Sequence, residues 1–371
     1  MKNELAIGII GAGGFAVFAA TAFLKLKDIK IAAISDIDEQ AGQTLAAELN
    51  AKFYSDYREL LTDIRIDLVY IATPPFLHFE ISKKALLAGK HVICEKPAGL
   101  KTSEAEELKI LAATLKLLYV VNLIQRYNPL YKVVKSIIQE KILGNFLHGF
   151  FENYASDENL NEEHWFWDET KSGGIFIEHG VHFFDMFSGW LGNGKVINAL
   201  QIQRENDKAV IFDRAQATVS YEGGIVNFYH GFDQPKILDR QEMRLEFERG
   251  DITLYGWIPV GMKLHGLLKK EQLKMLHDLI GSFSIVEHDH TNEPYKKVRG
   301  RFLDIMYNDH VTIEWGSSLE KENRYQQMLT DMLWDQWSWI RDKDHIRSVN
   351  DDNAVESIRM AEHAKKIAQK L

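Results

Sequence analysis

The sequence predicts an α/β protein that combines an N-terminal doubly wound parallel sheet with a C-terminal α+β region built on a large, mostly antiparallel open sheet. Two observations predict this. Short apolar runs alternate with helix-forming segments up to residue 123, and later segments alternate apolar with polar residues, as half-buried strands do. The chain has 371 residues, of which 46% are hydrophobic, and this is long for one compact core. We therefore expect more than one domain.

The N-terminal pattern repeats a strand, a turn and a helix. The strands are predicted at 5–10, 30–35, 68–73, 91–94 and 118–123, and the helices at 15–26, 39–49, 78–88 and 102–115. Strands that alternate with helices in this way form parallel sheets through crossover connections.

The later pattern differs. Strands are predicted at 146–154, 196–203, 215–221, 224–230 and 243–247, with helices at 129–141, 325–341 and 354–371. Gly223-Gly224 could turn a hairpin between two of these strands. We also predict a helix over 263–280, within a long insertion that continues to about residue 310.

Charge and composition exclude several classes of partner. The chain carries 44 Lys+Arg and 53 Asp+Glu, and a net charge of -9 argues against nucleic-acid and polybasic membrane partners. We see no signal peptide and no apolar run near the roughly 20 residues that cross a bilayer. The one cysteine, Cys94, excludes an internal disulfide and fits a reducing compartment. We expect a cytoplasmic protein.

A glycine turn follows the first strand. Gly11, Gly13 and Ala16 fit the G-x-G-x-x-G/A pattern, in which backbone approaches a pyrophosphate at a helix N-terminus. An ordinary strand-to-helix turn is the alternative. Asp36 ends the second strand, where a carboxylate accepts hydrogen bonds from ribose hydroxyls, and Ile37 offers no cation for a 2′-phosphate. The sequence therefore predicts NAD binding, with NADP disfavoured.

Two further strand ends carry rigid turns. Glu95-Lys96-Pro97 follows the fourth strand and Thr73-Pro74-Pro75 ends the third, with His78 three residues on. Ligands bind at the carboxyl ends of such strands, so Lys96 would reach the nicotinamide; a surface ion pair between Glu95 and Lys96 is the alternative. The predicted cofactor-binding residues are Gly11, Gly13, Gly14, Phe15, Ala16, Asp36, Thr73, Pro74, His78, Glu95 and Lys96.

Residues 172–185 form a dense polar cluster. On a helix, Glu178 and His182 share a face at i and i+4, with Asp185 one turn beyond. A carboxylate so placed can orient an imidazole that acts as a general base, although a buried structural histidine fits the same pattern. His179 and His182 would project about 300° apart, so we predict no metal here. His288-Asp289-His290 lies in a polar loop and is expected to be solvated.

Four other residues are candidates for substrate contacts, together with Asp185. Trp165 and Trp167 could stack on a sugar or on nicotinamide, or pack in the core. Arg126 and Asn128 follow the fifth strand and could face the same crevice, or form an ordinary turn between domains.

Taken in order, these motifs resemble the Gfo/Idh/MocA family of oxidoreductases, named for glucose-fructose oxidoreductase, inositol dehydrogenase and rhizopine catabolism. The resemblance spans almost the whole chain and rests on the glycine turn, Asp36, Thr73-Pro74 with His78, residues 89–97, residues 126–129 and residues 173–185. It implies a Rossmann domain at 1–124, a substrate and oligomerisation domain at 125–348, and a final helix at 349–371 that returns to the first domain. It also implies homodimers or homotetramers formed through the open sheet.

The resemblance assigns chemistry to individual residues. Lys96 and His182 would flank the reacting carbon, the Lys96–Pro97 peptide is expected to be cis, and Glu178 stands where the family usually has aspartate. We expect an NAD-dependent dehydrogenase of a sugar, cyclitol or related derivative, with His182 as base, Lys96 stabilising the alkoxide and Glu178 orienting His182. The alternatives are a redox-neutral NAD-dependent glycosidase and a non-catalytic NAD-binding sensor.

Overall fold

The first third of the chain forms a parallel sheet in a computed structural model, which describes residues 4–204, 210–289, 293, 295–316 and 319–371. Its six strands lie in the order β3-β2-β1-β4-β5-β6. They are β1 (Leu5–Ile10), β2 (Ile29–Ser35), β3 (Lys52–Tyr54), β4 (Leu68–Ile71), β5 (His91–Cys94) and β6 (Tyr119–Val121). The strand order reverses between β1 and β4, the place where open α/β sheets bind ligands. The predicted doubly wound sheet is confirmed.

Helices cover this sheet and connect its strands. They are α1 (Gly14–Phe23), α2 (Glu39–Glu48), α3 (Tyr57–Thr62), α4 (His78–Leu87) and α5 (Thr102–Leu115). The buried face of α1 consists largely of alanines, including Ala16, Ala19 and Ala20, so its backbone can pack closely on the sheet. This close packing sets the position of the turn before the helix.

The chain then continues through elements that lead into a second sheet. They are α6 (Pro129–Gln139), β7 (Phe146–Ser156), α7 (Glu169–Ser172), α8 (Val181–Leu191), β8 (Lys195–Arg204), β9 (Ile211–Tyr221), β10 (Gly224–Gln234), β11 (Arg240–Phe247), β12 (Gly250–Tyr255), β13 (Gly261–Leu268), α9 (Lys270–Ile280), β14 (Ser284–Glu287), β15 (Lys296–Gly300), β16 (Leu303–Tyr307), β17 (Asp309–Gly316), α10 (Lys321–Arg341), α11 (Asp351–Ile367) and β18 (Gln369–Lys370).

The second sheet has ten strands in the order β14-β17-β13-β12-β11-β7-β10-β9-β8-β18. Its pairs are antiparallel except β7 with β10 and β8 with β18. The predicted hairpin joins β9 to β10, where Gly223 adopts a φ of 86°. The expectation of a mostly antiparallel sheet is confirmed.

The predicted helix over 263–280 is wrong in its first half. Residues 261–268 form β13, in which Met262, Leu264 and Leu268 are buried while Lys263 and His265 face outward. This alternation has the two-residue period of a strand. We interpreted it as helix because the helical pattern of α9 follows directly in the sequence. The segment is therefore part of the large sheet, and β17 pairs with β13 along its whole length.

The C-terminus also differs from the prediction. Helix α11 ends at Ile367, short of residue 371, because the last residues pair with β8, where the backbone N–H of Leu371 donates to Gln201 at 2.9 Å. Helix α11 contacts α5, where the N–H of Thr102 donates to the carboxylate of Glu362 at 3.0 Å. None of the described helices combines the length and apolarity needed to cross a bilayer.

The described chain divides into two compact units that do not follow sequence order. One contains the residues up to Tyr127 together with Glu162–Asp185 and Tyr325–Lys366; the other contains Asn128–Asn161, Met186–Arg324 and Ile367–Leu371. These units follow contacts, which join distant segments, and the domain bounds at 124 and 348 stay a prediction. The 172–185 cluster thus shares a unit with the glycine turn.

Candidate active site

The glycine turn has the backbone that a phosphate cradle requires. Gly11 has a φ of 101°, and a Cβ there would lie 2.5 Å from the carbonyl oxygen of Ala72, so only glycine fits. Gly13 precedes α1, and Cβ atoms built on Gly13 or Gly14 would meet nothing within 4 Å. Open space before the free N–H groups of a helix start suits a pyrophosphate.

Asp36 lies beside this turn at the end of β2. Its carboxylate accepts the backbone N–H of Ala12 at 2.6 Å and that of Asp38 at 2.8 Å. A carboxylate has about four acceptor positions, so two remain for ribose hydroxyls. Ile37 is 96% exposed and brings no cation to this position. The residues present therefore fit an adenosine ribose.

His78 connects the turns that follow β4 and β5. Its Nε2 lies 2.7 Å from the carbonyl oxygen of Thr73 and its Nδ1 2.7 Å from that of Pro97. Burial lowers the pKa of His78, and a neutral ring can donate to one of these carbonyls at a time. We predicted a cofactor contact for His78, but the ring is buried, and both nitrogens face protein. It positions Thr73 and the Lys96–Pro97 turn.

Lys96 and Glu178 form an ion pair beyond the end of β5. The Nζ atom of Lys96 contacts Oε1 of Glu178 and donates to its backbone carbonyl at 2.9 Å. The Lys96–Pro97 peptide is cis, as expected. We predicted that Glu178 orients His182, and the observed partner is Lys96. Residues 176–180 form a π-helical turn, in which the angle between positions i and i+4 differs from that of a regular α-helix.

His182 lies in the first turn of α8 and is only 4% exposed. Burial, reinforced by the nearby positive charge of Lys96, lowers the pKa of His182 well below its ordinary value. The imidazole is therefore neutral at physiological pH and can accept a proton. The charge that acts on His182 thus comes from a residue 86 positions earlier in the sequence.

Glu95 is held by two residues that sequence reasoning missed. The hydroxyl of Tyr70 donates to Oε1 of Glu95, and the side-chain amide of Asn122 donates to the same oxygen at 2.8 Å. Burial raises the pKa of Glu95, against the effect of these hydrogen bonds. The available signal was position, since Asn122 directly follows β6 as Glu95 follows β5.

Arg126 and Asp185 pair with each other. Nε of Arg126 lies 2.7 Å from Oδ2 of Asp185 and its Nη2 lies 2.9 Å from Oδ1, a bidentate geometry, and both side chains are largely buried. Burial raises the pKa of Asp185, against the charge of Arg126. Both residues were predicted to bind substrate; the observed contact ties the turn after β6 to α8.

Asn128, which we predicted to bind substrate, is a helix cap in the structure. Its Oδ1 accepts the N–H of Leu130 at 2.9 Å at the start of α6, and its Nδ2 donates to the carbonyl of Pro259 at 2.9 Å. The side chain is 2% exposed and its amide is engaged at both ends. Asparagine before proline is a usual helix-start signal. The alternative that we gave for Asn128 from the sequence was an ordinary turn between domains.

The aromatic candidates remain partly exposed. Trp165 and Trp167 flank the buried Phe166 in a short turn. The rings of Trp167 and Phe166 pack edge to face, with their centroids 4.9 Å apart. Phe15 lies in the first turn of α1, with its ring 5.9 Å from that of Tyr325 in α10. Each of these aromatic side chains thus combines a packed face with accessible surface.

Pro74, another predicted cofactor-binding residue, directly precedes the short turn Pro75–Leu77 after β4.

The final helix supports the 172–185 cluster. Nζ of Lys365 donates to the carbonyl of Gly173 at 2.7 Å and lies 3.3 Å from the carboxylate of Glu169. Gly173 has a φ of 81°, and a Cβ there would lie 2.6 Å from Ile177. The turn that precedes Glu178 is therefore fixed by a glycine and by a cation from α11.

Similar proteins were found by sequence and by structure. Residues 5–123 match the Gfo/Idh/MocA oxidoreductase model with an NAD-binding Rossmann fold, and residues 131–253 match the family's C-terminal domain. Glucose-6-phosphate 3-dehydrogenase of Bacillus subtilis is 31% identical over 48% of this chain and 52% of its own length. The chain spans about half to three-fifths of the first curated relatives, at 61%, 53% and 52% of their lengths.

Solved structures share the fold along the whole chain. A 3-ketoreductase of Actinomadura kijaniata, KijD10, in complex with NADP and TDP-benzene has a TM-score of 0.75 at 16% identity, covering 100% of this chain and 99% of that one. GenD2 from gentamicin A biosynthesis, in complex with NAD, has a TM-score of 0.74 at 18% identity, covering 98% and 94%. With both domain models matched in order, this chain belongs to the Gfo/Idh/MocA family of oxidoreductases.

Proposed function

We propose that this protein is an NAD-dependent oxidoreductase that transfers a hydride between nicotinamide and a secondary alcohol or ketone of a sugar, cyclitol or sugar derivative. The observation that carries the proposal is the grouping of Lys96, Glu178 and His182 in the same unit as the glycine turn and Asp36. The glucose-6-phosphate 3-dehydrogenase and 3-ketoreductase relatives support the class of substrate.

In this proposal each residue of the site has a separate role. Gly11, Gly13 and the start of α1 would hold the pyrophosphate, and Asp36 the adenosine ribose. When bound, nicotinamide supplies the hydride acceptor or donor. His182, neutral at physiological pH, takes the hydroxyl proton as the alcohol is oxidised. The ammonium of Lys96, held by Glu178, stabilises the negative charge that develops on the substrate oxygen.

The direct test is a screen of purified protein with NAD against sugars, inositols and sugar nucleotides, following NADH by absorbance. The proposal expects NADH to accumulate with at least one of these secondary alcohols. A glycosidase would release aglycone from aryl glycosides without added cofactor and without net NADH. A sensor would bind NAD and sugar with no turnover. Either of these results would replace the proposed function.

The proposed preference for NAD rests on Asp36. We expect NADP to bind at least tenfold more weakly than NAD, because its 2′-phosphate would meet the carboxylate. Asp36→Asn removes the charge and keeps one amide oxygen as acceptor, so this discrimination should shrink in a fluorescence titration with both cofactors. Comparable affinities for NAD and NADP in the unchanged protein would contradict the proposal.

The pKa of His182 predicts the pH dependence of alcohol oxidation. Because the folded-state pKa lies well below 6.5, the imidazole stays unprotonated as the pH falls through 6.5. We expect the acidic limb of the kcat/KM profile that belongs to His182 to lie below pH 6.5. The measurement is a pH–rate profile of the unchanged protein beside His182→Gln. A limb at or above pH 6.5 that disappears in the variant would disprove this assignment.

A further inference from the structure

Three histidines lie side by side on the part of the second sheet formed by β13, β17 and β14. His265 is in β13, His310 is in β17, and His288 directly follows β14. The strand register explains the grouping, since His265 pairs with Thr312, two residues from His310, and the N–H of His288 donates to the carbonyl of His310 at 2.8 Å. Residues two apart on one strand share a face, so the three rings project to the same side.

The rings have the spacing of metal ligands. One nitrogen from each ring lies within 4.8 Å of those from both others, and Nε2 of His265 lies 2.9 Å from Nε2 of His310. Tetrahedral ligands at the usual Zn–N distance of about 2.0 Å are about 3.3 Å apart. Small side-chain movements would therefore bring all three nitrogens onto one ion, and the exposed positions of His265 and His288 permit them.

Outer groups prepare two of the rings to act as ligands. A carboxylate oxygen of Asp251 lies 3.4 Å from Nδ1 of His265, an arrangement that directs Nε2 toward an ion. The hydroxyl of Thr312 lies 2.8 Å from Nε2 of His288 and can accept its N–H when Nδ1 binds. A carboxylate oxygen of Asp289, the residue after His288, lies 3.7 Å from Nζ of Lys296. The negative charge of Asp289 offsets the repulsion between Lys296 and a bound metal ion. The sheet thus provides an outer shell as well as ligands.

We propose that His265, His288 and His310 form a site for a divalent transition-metal cation of the zinc type, with water completing the coordination. Three imidazoles favour such ions over Mg²⁺ or Ca²⁺, which require oxygen ligands. The ion would tie the exposed edge strand β14 to β17 and β13. The sequence prediction of a solvated loop at 288–290 did not include this group, because His265 and His310 are distant in sequence; His290 lies outside the described residues.

The test is calorimetric titration of chelator-treated protein with Zn²⁺, in parallel with Mg²⁺, and optical titration with Co²⁺. We expect one high-affinity Zn²⁺ per chain, no comparable binding of Mg²⁺, and Co²⁺ absorption bands of nitrogen ligation. His310→Ala and His288→Gln should each weaken Zn²⁺ binding at least tenfold. His363→Ala, an exposed histidine in α11, is the matched control and should leave affinity unchanged.

A second measurement detects metal binding through its effect on strand β14. Zn²⁺ should slow amide hydrogen exchange in β14 of the unchanged protein and have no such effect in the His288→Gln variant. If His310→Ala proves unfolded by its melting curve, His288→Gln decides the question, because His288 is exposed at a strand end. Equal Zn²⁺ affinity in the unchanged protein and in both cluster variants would overturn the proposal, as would tighter binding of Mg²⁺ than of Zn²⁺.

Discussion

Lys96→Ala is expected to lower kcat by about 10²–10³-fold while leaving the Kd for NAD within about twofold. Removing one side chain that stabilises the charge developing on a reacting oxygen lowers kcat by this amount in other enzymes. The ammonium is directed by the carboxylate and backbone carbonyl of Glu178, so alanine removes a fixed charge that water cannot replace in the same position. Steady-state kinetics with the substrate found in the screen, together with a fluorescence titration of NAD, measure the two effects.

Two variants accompany this experiment. Lys84→Ala, in the exposed face of α4 where Lys84 pairs with Glu80, is the matched control and should leave kcat unchanged. Glu178→Gln keeps the ammonium but removes its carboxylate partner, so we expect a smaller loss than for Lys96→Ala. Unchanged turnover in Lys96→Ala would refute the role of the lysine. A large loss of NAD affinity would assign it to cofactor binding.

The first sheet could be predicted because its signals are local. The buried run of β1, the glycine turn and the alanine face of α1 each follow from the sequence within a few residues. The second sheet was predicted only in part. β13 was interpreted as helix because it precedes the amphipathic α9, and short exposed strands such as β14, with four exposed residues, carry little apolar periodicity.

The candidate site shows the same division. Strand ends indicated Lys96, Glu95 and Asp36, because their position in the sheet follows from the strand itself. The partners of these residues depended on contacts between distant segments, such as Lys96 with Glu178 and Tyr70 with Glu95. The sequence predicted Glu178 beside His182 on a regular helix, and that relation stays a prediction; the contact of Glu178 with Lys96 and the π-helical turn at 176–180 had no signal in the sequence.

The pairing of Arg126 with Asp185 predicts a large change in stability. Arg126→Met leaves the Asp185 carboxylate buried without its bidentate partner, and such a loss destabilises proteins by about 3–5 kcal/mol. Urea unfolding at pH 7 measures the free energy of unfolding. Arg58→Met, which breaks the exposed pair with Asp56, is the matched control and should cost about 1 kcal/mol or less.

The pH dependence of the stability lost in Arg126→Met distinguishes two causes of that loss: an unpaired buried charge on Asp185, or the loss of packing around Arg126. Burial already raises the pKa of Asp185 while Arg126 opposes this, so removing Arg126 raises the folded-state pKa further. An acid with a raised folded-state pKa binds more protons in the native than in the unfolded state, and stability then falls as pH rises. The deficit of Arg126→Met relative to the unchanged protein should therefore shrink between pH 7 and pH 5. It should also be smaller in Arg126→Met/Asp185→Asn, which has no charge to bury. A deficit that is independent of pH and is not reduced in the double variant would mean that Arg126 stabilises this unit through its packing.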